Sequence, residues 1–271
     1  MKFRKALIGT ALAATLLLGA VLPGSAVEVL SVGGQNVWNE ASARLVGGGT
    51  TYVSLRTLAG LLAPEAEVSW EDGVAWVRGD GLTLRARPGD TWLTVNDRAL
   101  YIPDGVMLEN GRTLAPIRVL AEALGGRVDW SPEDGVTLTP GSGRPAAPAY
   151  REDELYWLSR IISAESRGEP LLGKLAVGTV VLNRVASDGF PDTIYDVIFD
   201  TKWGVQFQPV ANGTVYNEPT AESVLAAKLV LDGARAAGDS LFFLAPALTD
   251  NHWTMENREF VETIGNHWFY R

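Results

Sequence analysis

The sequence predicts an α+β protein in two parts: an N-terminal domain of two tandem strand–helix–hairpin repeats, then a small helix-led α+β domain. Three observations carry this. A twelve-residue segment recurs within the first half at an offset of 62 residues, a Pro/Gly/Ala-rich run interrupts the chain near its middle, and beyond that run apolar residues fall into helical spacing. At 271 residues and 46% hydrophobic, the chain is long enough for two domains with separate cores. It has no cysteine, which excludes disulfides, thiolate catalysis and cysteine-held metals. Its two histidines, His252 and His267, stand 15 residues apart without an H-E-x-x-H pattern, so neither a metal site nor a cofactor is expected. A formal charge of −9 argues against a nucleic-acid partner, which would call for a basic stripe.

Residues 1–26 read as a secretory signal peptide. Lys2, Arg4 and Lys5 form the charged start, Ala6 to Leu22 is a mainly apolar run, and Pro23-Gly-Ser-Ala26 offers small residues for cleavage. The alternative is an uncleaved membrane anchor, but the run has 17 residues against the roughly 20 that a spanning helix needs. Removing the segment takes three positive charges and no acids from −9, which leaves −12. An exported, soluble, acidic protein is expected.

The first domain, 27–139, contains no lysine. Thr51-Tyr-Val-Ser-Leu-Arg-Thr-Leu-Ala-Gly-Leu-Leu62 returns as Thr113-Leu-Ala-Pro-Ile-Arg-Val-Leu-Ala-Glu-Ala-Leu124. Each copy continues into a strand with a tryptophan (Trp70, Trp130), an acidic glycine-containing turn and a second short strand. Leu55, Leu58 and Leu62 match Ile117, Leu120 and Leu124 at spacings of three and four, which makes one buried stripe per helix. These features resemble the copper amine oxidase N-terminal-like, or stalk, domain of exported Gram-positive proteins. The half has no His or Cys to hold copper. It reads as a spacer or a module for wall attachment. Arg56 and Arg118, equivalent in the repeats, either touch the wall or tie each helix start to a carboxylate or carbonyl. Residues 140–150, centred on Pro140-Gly-Ser-Gly-Arg-Pro-Ala-Ala-Pro148, form a semi-rigid linker.

The second domain, 151–271, opens with a helix whose face carries Leu155, Leu158, Ile161 and Ile162. One turn further along that face stands Glu165. A carboxylate on a buried stripe is unusual, and partial burial would raise its pKa and suit it to general-acid work. The competing reading is a buried ion pair with Arg167 or Arg184. An almost wholly apolar helix follows from Leu171 to Val185, then a short helix with Ile194, Val197 and Ile198 on one side. The stretch Trp203 to Val210 is aromatic and amide-rich with little periodicity. Pro219 starts another helix, and the chain ends in two strands, Ser240–Leu244 and Thr263–Tyr270, separated by a long polar loop.

Ile161-Ile-Ser-Ala-Glu-Ser-Arg-Gly-Glu-Pro170 and Ala176-Val-Gly-Thr-Val-Val-Leu-Asn-Arg-Val185 resemble the signature of the SleB-type cell wall hydrolases, the spore-cortex-lytic enzymes and their relatives. Gln206-Phe207, Phe242-Phe-Leu-Ala-Pro246 and Ile264-Gly-Asn-His-Trp-Phe269 follow in the expected order. The resemblance implies a lysozyme-like helical lobe in an enzyme acting on peptidoglycan glycan strands, secreted to the cell wall or spore cortex. It makes Glu165 the catalytic glutamate and places Gln206, Phe207 and Asn212 near the substrate. Ser166 stands where alanine is common. Asn183 and Arg184 either orient Glu165 or cap the buried helix, and Glu169 is a structural acceptor near the turn.

The expected chemistry is lytic transglycosylation between N-acetylmuramic acid and N-acetylglucosamine, which needs one carboxylate. Hydrolysis ordinarily needs two, about 5–5.5 Å or 6.5–9.5 Å apart, and Glu169, Asp188 and Asp200 are poor second candidates. His267 and Trp268 either contact substrate or, on the favoured reading, serve strand packing with one hydrogen bond. Three alternatives stand against this: a muramidase with a second carboxylate, a non-catalytic wall-binding module, and a zinc amidase or peptidase. No protein partner is legible.

Overall fold

The structure, a computed structural model, describes residues 28–202, 204–249 and 253–271. The signal peptide expected over residues 1–26, together with Trp203 and His252, lies outside the described residues. The protein is α+β, with a β-rich first half and a helical second half. Among the described residues no helix is long and apolar enough to cross a membrane.

The first half opens with β1 (Leu30–Val32), β2 (Gln35–Asn36) and β3 (Arg44–Val46). In the first repeat, β4 (Thr50–Ser54) runs into α1 (Leu55–Leu62) and the hairpin of β5 (Glu67–Glu71) and β6 (Val74–Gly79). Then β7 (Leu82–Ala86), β8 (Trp92–Val95), β9 (Arg98–Tyr101) and β10 (Met107–Glu109) lead to the second repeat. That is β11 (Arg112–Pro116), α2 (Ile117–Ala123), β12 (Arg127–Ser131) and β13 (Gly135–Thr139). Ser54 caps α1 by accepting from the Thr57 N–H at 3.3 Å. The six stripe residues named from the repeat are all buried.

The two repeats meet where β4 and β11 pair antiparallel, Val53 opposite Ala115, inside the sheet β10-β11-β4-β3. Their hairpins then diverge. The first continues into the meander β5 to β9, while the second is completed by β1, which pairs parallel with β13. Arg118 donates from α2 to the Val128 carbonyl at 3.2 Å, tying the helix to its own hairpin. Arg56 is exposed. The 140–150 segment lies along this half: Ser142 donates its N–H to Gly125, Arg144 pairs with Asp80, and the Tyr150 hydroxyl reaches the Asp97 carbonyl at 3.5 Å.

The second half comprises α3 (Glu152–Ser166), α4 (Leu171–Val185), α5 (Ile194–Phe199), α6 (Gln208–Asn212), α7 (Ala221–Leu231), β14 (Phe242–Leu244), α8 (Trp253–Asn257), β15 (Phe260–Ile264) and β16 (His267–Tyr270). Three acids in the first turn of α3 complement the helix dipole. Leu158, Ile161 and Ile162 on its inner face are fully buried against α4 and α7, each contributing about 2 kcal/mol of apolar burial. Ten of the fifteen residues of α4 are buried, including Lys174, whose ammonium donates to the Glu169 carbonyl and pairs with Glu222 at 2.8 Å.

Two sequence expectations change here. The strand expected over Thr263–Tyr270 is the second half of a hairpin: the chain turns at Gly265, φ +59°, so β15 and β16 pair antiparallel with Ile264 opposite His267. The expected polar loop before it holds a 3₁₀ turn at Pro246–Leu248 and α8.

The halves are joined by a buried ion pair. Arg98 on β9, barely exposed, donates from Nε to Asp232 at the end of α7 (2.8 Å) and also pairs with Glu122 of α2; the Ala99 N–H adds a bond to Asp232. Ala99, Trp92 and Tyr101 pack into the helical core beside it. Truncating one partner of such a pair strands the other charge. Arg98→Ala is expected to cost about 3 kcal/mol and to split chemical unfolding into two transitions; an unchanged single transition would show that this pair does not couple the halves.

Candidate active site

Glu165 occupies the last turn of α3, four residues after Ile161 and three after Ile162, so the helical period that buries those two carries the carboxylate to the end of the core. The helix stops one residue later. Ser166 turns its hydroxyl back onto the Ile162 carbonyl at 2.5 Å, and Pro170 precedes the first turn of α4. Glu165 is half-buried, and burial pushes its carboxyl up to about 7 against the opposing pull of Arg184. No hydrogen bond from a described residue holds its carboxylate.

Neither arginine named for an ion pair makes a direct one. Arg167 points away, to the Glu218 carbonyl at 3.5 Å. Arg184 donates Nε to the Leu241 carbonyl at 2.7 Å, with its guanidinium set among the rings of Phe190, Phe207 and Phe242 at 4.9, 5.1 and 5.5 Å. Burial lowers the Arg184 pKa to about 10, although Asp200 and Glu165 oppose this. The cation is near enough to be felt by Glu165 but forms no ion pair with it among the described residues.

Glu165 and Arg184 line a cavity of about 630 Å³ whose other walls come from the segment 205–214, from β14 and the residues after it, and from His267. Among the described lining residues Glu165 is the sole carboxylate. The three acids weighed as partners lie elsewhere. Asp188 is exposed, Asp200 accepts from the Lys202 N–H at 2.8 Å, and Glu169 faces the β15–β16 hairpin. There Glu169 accepts from the Asn266 N–H (3.0 Å) and from its side-chain amide (2.9 Å). Burial pushes the Glu169 pKa up, but those bonds, with His267 and Lys174, hold it below the ordinary carboxylate value.

Of the residues expected near substrate, Gln206 and Asn212 reach the cavity. The Asn212 oxygen accepts from Thr214 at 2.9 and 2.7 Å, so its NH₂ is the part turned to other partners. Phe207 differs from expectation. Only 2% exposed, it is floor rather than stacking face, buried under Arg184 and against Phe243. Asn183 also differs: its amide is spent on the Gly238 and Ser240 carbonyls, both at 3.0 Å, which ties α4 to the chain before β14 rather than orienting Glu165.

His267, expected to be strand packing, lines the cavity. Its ring stands edge-on to Phe243 at 5.4 Å, its Nδ1 is buried without a partner among the described residues, and burial lowers its pKa although Glu169 opposes the shift. The strand alternation was the signal for it: His267 turns inward where Trp268 turns out. Among the described residues no group of three or more His, Asp or Glu side chains gathers at metal-binding spacing.

Known proteins resemble both halves of the chain. A family model described as Cell Wall Hydrolase matches residues 168–270. A cell wall hydrolase, CwlJ, of Oceanobacillus iheyensis is 31% identical over 107 residues, which cover 37% of this chain and 74% of that protein. The chain belongs to the cell wall hydrolase family. A spore cortex-lytic enzyme of Bacillus cereus is 33% identical over 120 residues, 44% of this chain and 45% of that enzyme, so this chain spans a little under half of that relative. Among solved structures, the catalytic domain of the germination-specific lytic transglycosylase SleB from Bacillus anthracis is 31% identical and covers 46% of this chain and 100% of its own, with a TM-score of 0.42. A model of the copper amine oxidase N-terminal domain matches residues 31–139, the repeat-bearing half. The cell wall hydrolase match begins three residues beyond Glu165, so that residue's role is argued from the cavity.

Proposed function

We propose that this family member is a lytic transglycosylase that cuts peptidoglycan glycan strands between N-acetylmuramic acid and N-acetylglucosamine, with Glu165 as its one acid/base. The observation that carries the reading is a single half-buried carboxyl, raised to about 7, as the only acid among the described residues lining the cleft. At neutral pH about half of it holds a proton, as a general acid must. Glu165 gives that proton to the glycosidic oxygen as the bond from muramic C1 breaks. The resulting carboxylate takes the proton of the muramic C6 hydroxyl, whose oxygen closes onto C1. One bond breaks, one forms, the proton returns to Glu165 and no water is consumed. Arg184 stabilises the transient carboxylate without pairing with it.

The relatives' names support a wall or cortex substrate, and the chain is read as exported through residues 1–26 to that compartment. The first half serves as a spacer or attaches to the wall. End-group analysis of fragments released from purified peptidoglycan by the full chain tests this: 1,6-anhydromuramic ends are expected. Reducing muramic ends would mean hydrolysis, and no release from cortex or vegetative wall would favour a binding module.

A further inference from the structure

The Glu165 cavity does not end at Arg184. A second cavity of about 790 Å³ shares Arg184, Val205, Gln206, Phe243 and Thr254 with it and extends toward α8. Its far wall carries Arg258, whose guanidinium lies 4.6 Å from the Phe242 ring centre and 5.1 Å from that of Trp253. Arg184 lies 5.5 Å from the same Phe242 ring. Two cations thus lie within 6 Å of one ring centre and line one compartment, and no acid is among the described residues lining it. A third arginine there, Arg271, is committed to Glu259 and Asp239 at 2.6 and 3.2 Å.

Arg258 makes no such commitment among the described residues: its guanidinium stacks and does not pair. Arg184 is 5% exposed, and its Nη1 is buried with no hydrogen-bond partner among the described residues. A buried guanidinium N–H left unpaired is costly, and two like charges about one ring repel. An anion shared by the two guanidinium groups would relieve both. The planar fork of arginine suits a carboxylate, and the rings of Phe242 and Trp253 suit the apolar atoms around it.

Resting on the function proposed above, we infer that this compartment binds a carboxylate of the stem peptide borne by the muramic acid residue beside the scissile bond. The sugar backbone of N-acetylated glycan is neutral, and the acids hang from the muramic lactyl group, so an anion-binding compartment next to Glu165 reads the peptide rather than the sugar. The cleft then distinguishes peptide-bearing muramic residues from bare ones.

The test is equilibrium binding, which does not depend on turnover. The full chain carrying Glu165→Gln is titrated with a disaccharide–tetrapeptide and with the same compound after its carboxyls are amidated, each with Arg258 intact and as Arg258→Gln. Amidation and Arg258→Gln should each weaken binding about fivefold, the scale of a solvent-exposed charge pair, and their combination should weaken it no further. Arg258→Lys, which keeps the charge but not the fork, should fall between. Independent, additive losses, or equal affinity for both compounds, would overturn the inference. If the wild type cuts no glycan while this pattern holds, the transglycosylase reading fails and the peptide-binding one stands.

Discussion

Glu165→Gln is expected to lower glycan cleavage about 10³-fold, within the range that a positioned acid/base supplies, with the fold unchanged. Its pH behaviour follows from the raised pKa. The protonated carboxyl is the active form, so wild-type kcat/KM should be level well below pH 7 and fall tenfold per pH unit above it. The residual rate of the glutamine variant should lack that limb. The same shift has a stability consequence of opposite sense. Folding raises the pKa from 4.5 to about 7, so the folded state binds more protons than the unfolded one between those values. Stability contributed by the carboxyl is therefore present below about 4.5 and is lost as pH rises through 7. Glutamine removes the penalty, and the inactive variant should be more stable than wild type by about 2 kcal/mol above pH 7. Matched denaturant curves at pH 5 and pH 8 read this directly, and equal stabilities at pH 8 would mean that the carboxyl is not held in an unfavourable site.

Gly265→Ala is expected to be the most damaging small substitution in the second half, at about 3 kcal/mol, combining a left-handed backbone with loss of a buried acceptor's partners. Gly265 has φ +59°, and a Cβ there would sit 1.9 Å from the Glu169 Oε2. Glu169 would have to swing away, giving up both bonds to Asn266, the residue that precedes His267 in the cavity wall. Thermal unfolding should show the loss, and activity should fall with it because the β15–β16 turn no longer fixes His267. Gly168→Ala is the control, since nothing lies within 4 Å of a Cβ there and its backbone is not left-handed. Equal effects of the two alanines would show that the Glu169–Asn266 clasp is not what the glycine protects.

Glu165 was legible because a helix converts sequence spacing into a face: Ile161 and Ile162 fix the buried direction, and a carboxylate in phase with them stands out. The repeats were legible for a related reason, since two copies of one apolar stripe identify two equivalent helices. What was missed depends on partners distant in sequence. Nothing local tells β1 that it completes the second repeat by pairing with β13, or that the first hairpin continues into a five-stranded meander. The final strand was carried across a turn because the Gly265-Asn266 pair, itself a hairpin signal, was read as part of the strand. Phe207 suits a sugar site and Asn183 the orienting of Glu165, yet one is needed to pack under Arg184 and the other to satisfy two carbonyls. Arg258 sits just past a short helix with no periodicity to mark it, and only the fold brings it to the ring it shares with Arg184.

The fold holds one carboxyl partly protonated near neutral pH in a cleft with no other acid among its described lining residues. Carbon-13 NMR titration of the glutamate side chains, with Glu165 assigned by its loss in Glu165→Gln, measures this most directly. One glutamate is expected to titrate at about 7, with the Glu169 resonance titrating below the ordinary carboxylate range. A Glu165 that titrates at its ordinary 4.5 would contradict it, because a carboxyl ionised at neutral pH could not serve as the lone acid of the reaction.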